Sequence, residues 1–362
     1  MVVFSKNSGL NNATFGKLET PIKMVIQSES DAYEKQKSIL TKLFNVAKSN
    51  RFGETMTSQT EFGEFMAAGE GQGAENDSVQ DGFKKFIEHI QFMKEFTITA
   101  EMAEDSVVGI GADTAARPKA FVRAYEKTKI AAGAAILANG TQSSINFNRA
   151  SVDLTCCDGR PVFHNAHPYK KAENQSESQS NYYYGEGIAS DAAHLEMALT
   201  VLANKLRNFK DENLKSLEYV ANVIIIPTNR PKLEALVKKV VGSERTPGSN
   251  DNDINIQYGN WDIVVLPHWE TTDDRFIIMS SEANENLQGN MFFNRVPLTV
   301  TDWEDNHTGN FVWTGRTRFG LGFNSWKHML LAVDSSTEIT GATLLDDFPL
   351  TVNNDDNNNE NE

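Results

Sequence analysis

The strongest constraint on how this chain folds stands near its end, in Phe311-Val-Trp-Thr-Gly-Arg-Thr-Arg-Phe-Gly-Leu-Gly-Phe323. Read at period two, one face holds Phe311, Trp313, Thr317, Phe319, Leu321 and Phe323. The other holds Val312, Thr314, Arg316 and Arg318, with glycines at 315, 320 and 322. Successive side chains of a strand point to opposite faces of its sheet, so this alternation predicts one long, half-buried strand. Glycine inside a strand marks a bend or a close approach of other backbone. Such a strand needs a sheet around it and a cover for its aromatic face.

At 362 residues the chain exceeds one average domain, which predicts two compact units plus extensions. A hydrophobic content of 40% supports a core, and no uninterrupted apolar run is long enough to span a membrane. Met1-Val-Val-Phe-Ser-Lys lacks the apolar core of a secretory signal. The net charge of −15 opposes unspecific binding to phosphate backbones. Its distribution is uneven: residues 1–51 hold eight Lys or Arg against four acids, a local +4, whereas 353–362 hold four acids and no base. That acidic, asparagine-rich tail (349–362) is expected to be disordered. The only cysteines, Cys156 and Cys157, are adjacent, which disfavours a bridge between them, and such sparse use suits a reducing cytoplasm.

Along the chain, residues 1–30 read as an extended polar arm, and a helix is expected from Ser30 to about Ser49 on the stripe Ile39, Leu40, Leu43, Phe44 and Ala47. Alternating stretches at 51–65 and 83–99 around the glycine-rich, acidic segment 69–78 predict a long protruding hairpin, a ribbon that cannot bury itself alone. Glu101–Val108 reads as a short helical turn. Pro118 to Asn139, alanine-rich and followed by Gly140, predicts a long helix. A strand is expected over Ile145–Thr155, then a long loop, then a helix capped by Ser190 with Leu195, Leu199, Leu202, Leu206 and Phe209 as its stripe. Val223–Pro227, a helix from Pro231 to Val241, and strands at 262–266, 275–279 and 291–293 predict a mixed α/β unit.

Candidate chemistry is sparse. Cys156, Cys157, Asp158, His164 and His167 could in principle supply zinc ligands, but structural zinc sites separate their cysteines by two to four residues. An ordered loop is the expected reading. Gly69-x-Gly-x-x-Ala74 formally matches a dinucleotide fingerprint but is followed by Glu-Asn-Asp, where phosphate would meet like charge. His268 beside Trp269 reads as a strand-end residue. Arg316 and Arg318 are either a solvated face or partners for another molecule's carboxylates. Asp273-Asp274 and Asp346-Asp347 lack a visible acid or base partner. No catalytic, cofactor-binding or metal-binding residue is assigned, no cofactor is expected, and the chain reads as no enzyme.

The order of these features resembles a known family. Val162-Phe-His-Asn-Ala-His167 after the long helix, the leucine-striped helix 195–209, the strand Val223–Pro227 and Arg316-x-Arg-Phe-Gly-x-Gly-Phe-x-x-Trp326 are similar to the major capsid proteins of tailed bacteriophages, the Hong Kong 97-like fold, and within it to the Mu-like major head subunit group. The resemblance implies an α+β fold with an N-terminal arm (1–50), an E-loop (51–98), a peripheral domain (99–212 and 326–348) with spine helix 118–139, and an axial domain (213–325). It implies a virion subunit, assembled in the host bacterial cytoplasm, that forms pentamers and hexamers with its own copies around packaged double-stranded DNA, without sequence-specific DNA binding and without a membrane. Scaffold, portal and decoration proteins would be its further partners. An encapsulin-like compartment shell is the alternative with the same architecture. A zinc-dependent enzyme using Cys156, Cys157, His164 and His167 is the third reading, and a minor head or decoration protein a fourth.

Overall fold

The structure, a computed structural model, describes residues 3–6, 13–35, 39–59, 67, 81–99, 101–102, 112–169, 177–211, 214–245, 254–305 and 307–345. Strand β1 (Val3–Lys6) precedes helix α1 (Ala13–Lys35), the short helix α2 (Ile39–Leu43) and β2 (Asn45–Lys48). Strands β3 (Gly53–Gln59), β4 (Asp81–Glu88) and β5 (Ile90–Ile98) lead to the long helix α3 (Ala112–Ala138). The short strands β6 (Ser144–Phe147), β7 (Ala150–Asp153), β8 (His167–Pro168), β9 (Ser178–Gln179) and β10 (Tyr182–Gly185) follow. Helix α4 (Ala192–Arg207), β11 (Val223–Pro227), α5 (Pro231–Gly242), β12 (Asp262–Leu266) and β13 (Arg275–Met279) come next. The chain closes with α6 (Ser281–Asn286), β14 (Asn290–Glu304), β15 (Phe311–Phe323), β16 (Met329–Asp334) and β17 (Thr343–Leu344).

The closing strand keeps its aromatic face inside as the alternation demands, but Val312, Gly320 and Gly322 are buried too, so the strand is half-buried only around Thr314 to Arg318. Phe311, Trp313, Thr317, Phe319, Leu321 and Phe323 are all buried, whereas Arg316 is exposed and Thr314 and Arg318 half-buried. It lies between β14 and β5 in a five-stranded sheet of order β1-β14-β15-β5, with β2 also on β14. Helices α1 and α3 cover the aromatic face: Ile22 and Ile26 from α1 and Phe121 and Val122 from α3 meet Leu298, Val300 and Trp313. Side chains of this size stabilise by roughly 1.5–3 kcal/mol each when fully buried. The strand glycines are where other elements come closest. A β-carbon on Gly315 would stand 2.2 Å from the Phe121 ring, and one on Gly320 would stand 2.7 Å from the Glu88 carbonyl oxygen.

Several expectations need correction. Residues 13–35 are helical rather than an extended arm, because Ile22, Ile26, Ser30 and Tyr33 recur at helical spacing and face the core. The helix expected to run to Ser49 is broken: α1 ends at Lys35, α2 at Leu43, and residues 45–48 join β14 as a parallel strand. Strand pairing with Met291–Asn294 outweighs local helical spacing there. The long helix begins at Ala112, so Pro118 lies inside it rather than in its first turn. The single strand expected at 145–155 is the hairpin β6–β7, turned at Asn148 and Arg149, both with positive φ (46° and 72°). Asp191, not Ser190, caps α4, accepting from His194 N at 2.9 Å.

The hairpin expectation also changes in kind. β3 pairs with β4 alone, while β5 leaves the ribbon at His89 and pairs with β15, Ile90 opposite Phe319 through to Ile98 opposite Phe311. Aromatic pairs hold it there: Phe92 stacks on Phe319 with centroids 4.6 Å apart, and Phe96 on Trp313 at 6.1 Å. The ribbon base, moreover, buries one face on its own molecule, where Met56 and Ile87 pack against Met291 and Phe293. Segment 69–78, with its Gly69 to Ala74 motif, most of the helical turn 101–108, Asp346-Asp347 and the tail 349–362 lie outside the described residues.

The second sheet has the order β12-β11-β13-β16-β10-β17 and is mixed, with β11 parallel to β12 and antiparallel to β13. All five residues of β11 are buried. Leu195, Leu199, Leu202 and Leu206 of α4, and Leu233, Val237 and Val240 of α5, join the same core. The two sheets meet where β13 passes through α6 into β14 and where β15 passes through residues 324–328 into β16.

Candidate functional site

The residues with most chemical potential gather at that seam between the sheets. Cys156 is buried, and burial first, then the Asp158 charge, push its thiol well above the usual range, which removes the thiolate needed of a ligand or nucleophile. His167 is also buried, with Nδ1 2.6 Å from Asp158 Oδ2 and Nε2 3.2 Å from Asn181 Oδ1. Its ring stacks on Trp326 at 4.2 Å, with the planes 12° apart. His164 lies beside it, 6.0 Å between centroids, and its Nδ1 accepts from Ala166 N at 3.0 Å. Burial, then the neighbouring His167, lower its pKa. Both nitrogens of His167 are thus committed to protein partners. Among the described residues, no three His, Cys, Asp or Glu side chains converge on a common metal position. His167, Asp158 and Asn181 form a hydrogen-bonded peg there.

Asn181, in the stretch expected to be a long loop, is the centre of that peg. Its Nδ2 donates to Val162 O at 2.7 Å and faces Met329 O at 3.3 Å, and its Oδ1 accepts from His164 N at 3.0 Å. Asn290 plays the matching part on the other side. Its Nδ2 donates to Leu43 O at 2.9 Å, and its Oδ1 accepts from His328 Nε2 at 2.9 Å. His328 is fully buried, and loss of solvation lowers its pKa to about 3, so the ring is neutral. Its place depends on Gly289, where a β-carbon would stand 2.3 Å from the imidazole. The available signal in the sequence was the density of asparagine and histidine around two strand starts, Asn181-Tyr-Tyr-Tyr and His328-Met-Leu-Leu.

The remaining candidates separate. His268, exposed and with φ of 65°, lies on the rim of a cavity of about 400 Å³ lined also by Asn139, Gln142, Glu270 and Arg275, while Trp269 beside it is core. Asp273 and Asp274 do have partners: Asp273 pairs with Arg275, and Asp274 lies 3.6 Å from Arg230. Arg316 and Arg318 stand on the face of β15 turned away from α3. Their side chains reach Gln91 Oε1 at 3.2 Å and His89 O at 3.4 Å. On the ribbon, Lys85 is buried and bonded to Asp153 at 2.5 Å and Thr155 at 2.7 Å, whereas Phe52 and Phe86 stack on the outer face, 63% and 50% exposed. The arrangement spends its titratable groups on joining elements and leaves its unusual features on the surface.

No protein-family model matches the sequence, and no curated protein does. Solved structures are similar in fold. The capsid of cyanophage P-SCSP1u shares 10% identity over 83% of this chain and 89% of its own, with a TM-score of 0.48. A structure from Mycobacterium phage Patience shares 12% identity over 91% and 89%, with a TM-score of 0.49. The procapsid of satellite phage P4, which includes a size determination protein, shares 10% identity over 94% of each chain, with a TM-score of 0.44. The fold is mixed α+β and resembles those of phage capsid proteins.

Proposed function

We propose that this chain is the structural subunit of a bacteriophage icosahedral capsid, built on the Hong Kong 97-like plan and nearest to the Mu-like head subunits. The observation that carries the reading is the ribbon β3–β4. It is a sheet of two strands with no third partner among the described residues, and its outer face bears the stacked Phe52 and Phe86. A two-stranded ribbon is marginal in water, and a monomer gains nothing from displaying aromatic side chains on one. Copies of the same chain are the natural cover, and contacts between unlike patches that close on themselves make rings and shells.

In this reading residues 1–50 are the arm, 51–98 the E-loop, 99–212 with 326–348 the peripheral domain around spine helix α3, 213–325 the axial domain, and 349–362 a tail. The shell encloses DNA that it does not read, and scaffold, portal and decoration proteins would meet it in the host cytoplasm. The role is structural rather than catalytic, in keeping with a buried His167–Asp158–Asn181 peg whose polar atoms face one another. Negative-stain microscopy and sedimentation of the purified full chain test it. Closed polyhedral particles or capsomer rings are expected; a folded protein that stays monomeric at every concentration would refute it.

A further inference from the structure

We propose that the cavity between the C-terminal end of α3 and the turn joining β12 to β13 binds a neutral, polyhydroxylated compound, a small sugar. Its volume of about 400 Å³ lies at the lower end of the range for small-molecule sites, about 300–1,000 Å³. One wall comes from Asn139, Thr141 and Gln142 just past α3, the other from the turn at His268 and Glu270 and from Arg275 of β13. All of these belong to one chain, so the site does not depend on the shell reading.

More than size marks this cavity. Arg275 Nε is buried without a hydrogen-bond partner, although the same guanidinium pairs with Asp273 through Nη2. A buried donor without an acceptor is costly, and a bound hydroxyl group supplies one. His268 on the rim holds a φ of 65°, a left-handed conformation that is uncommon outside glycine and gathers at binding sites. The turn is also fixed in advance. Asn229 Nδ2 donates to Thr271 O at 2.9 Å, its Oδ1 accepts from Thr271 N at 3.1 Å, and Thr271 Oγ1 donates to Asp273 O at 2.9 Å. A ligand therefore meets a wall that binding need not order.

The lining selects the chemistry. Glu270 and the negative end of the α3 dipole repel an anion, and Asp273 already neutralises Arg275. Arg275 in turn disfavours an organic cation. Among the described residues, no three His, Cys, Asp or Glu side chains gather for a metal ion. An apolar ligand would leave amides and hydroxyls unmatched. Sugar hydroxyls both donate and accept, which suits the Gln142 carboxamide, the Thr141 hydroxyl and the Glu270 carboxylate. Asn139 Nδ2 donates to Ala135 O at 2.9 Å, so its Oδ1 is the end that accepts from a ligand.

Saturation-transfer NMR and calorimetry on the purified full chain test this with glucose, galactose, mannose and N-acetylglucosamine, with maltose and lactose, and with inorganic phosphate as the charged probe. At least one sugar should bind, and phosphate should not. Gln142 and Glu270 are exposed, so Gln142→Ala with Glu270→Ala should keep the circular dichroism spectrum and weaken sugar binding about tenfold or more. Gln142→Ala alone, with a smaller loss, serves should the pair fail to fold. Tighter binding of a disaccharide than of its monosaccharides supports the site and makes its ligand the end of a glycan chain; equal binding supports it with the free sugar as ligand. The inference is overturned if no sugar binds, if phosphate binds in their place, or if the variants bind sugar as well as the unmodified chain does.

Discussion

Asn181 and Asn290 each use both ends of a buried carboxamide, Asn181 to hold the loop at Val162 and His164, Asn290 to hold the end of α2 at Leu43 and the His328 ring. A buried amide of this kind stabilises only because all its partners are present; each group left unmatched would cost about 1–3 kcal/mol. His328 adds a pH dependence with a definite sign. Its pKa in the folded chain is about 3, against an ordinary 6.5, so the unfolded state binds the extra proton between those values. Stability is then full above about pH 6.5 and falls as the pH drops, by about 1.4 kcal/mol per unit for that one proton. His328→Gln keeps a donor for Asn290 and cannot titrate. Urea unfolding of the subunit between pH 4 and 7 should show the slope reduced by one proton in this variant, and an unchanged slope would place the proton elsewhere.

At the scale of elements, the ribbon is held by two contacts of different kinds. The Lys85 side chain is 7% exposed and that of Asp153 59%, so the pair is asymmetric. Lys85→Met should cost about 1 kcal/mol, because it leaves Asp153 facing water. Asp153→Ala should cost about 3 kcal/mol, because it leaves an ammonium group buried without its anion. The order of the two unfolding free energies checks the argument, and the reverse order would contradict it. Gly320→Ala puts a methyl group against the Glu88 carbonyl, which is backbone and yields little; an overpacking cost of roughly 1–3 kcal/mol is expected. Amide hydrogen exchange should quicken in β4 while β11, in the other sheet, stays protected. These same elements divide what the sequence disclosed from what it hid. The faces of β15 and the stripe of α4 were legible because their periodicities are local and uninterrupted. Of the glycines in β15, expected to mark bends or close backbone approach, Gly320 has backbone against it, whereas Gly315 and Gly322 make room for the side chains of Phe121 and Ile87. Strand β2 and the pairing of β5 with β15 escaped because their partners are remote in sequence, and α1 because Ile22, Ile26 and Tyr33 are diluted by polar neighbours. At the seam, Cys156 to His167 drew notice for their chemistry, whereas Asn181, the residue that organises them, has no spacing signature at all.

On the scale of the whole molecule, the proposed assembly rests on the division between a buried polar interior and exposed aromatic side chains. Inside, Asn181, Asn290, His167 and His328 tie neighbouring elements together by buried hydrogen bonds where the two sheets meet. Outside, the ribbon displays Phe52 and Phe86 stacked on each other and largely exposed. An exposed phenylalanine contributes little to the stability of the subunit that carries it, since its surface stays wet in both the folded and unfolded chain. Its burial at a contact would contribute roughly 1.5–3 kcal/mol, a tenfold to hundredfold change in association per site. Phe52→Ser with Phe86→Ser should therefore leave the unfolding free energy of the isolated subunit within about 0.5 kcal/mol. The concentration at which particles form should rise at least tenfold. Light scattering across a dilution series beside chemical denaturation of the same preparation separates the two quantities. A large loss of stability with assembly unaltered would mean that the pair is a piece of the subunit's own core, and the ribbon would then lose its claim to be the place where neighbouring copies meet.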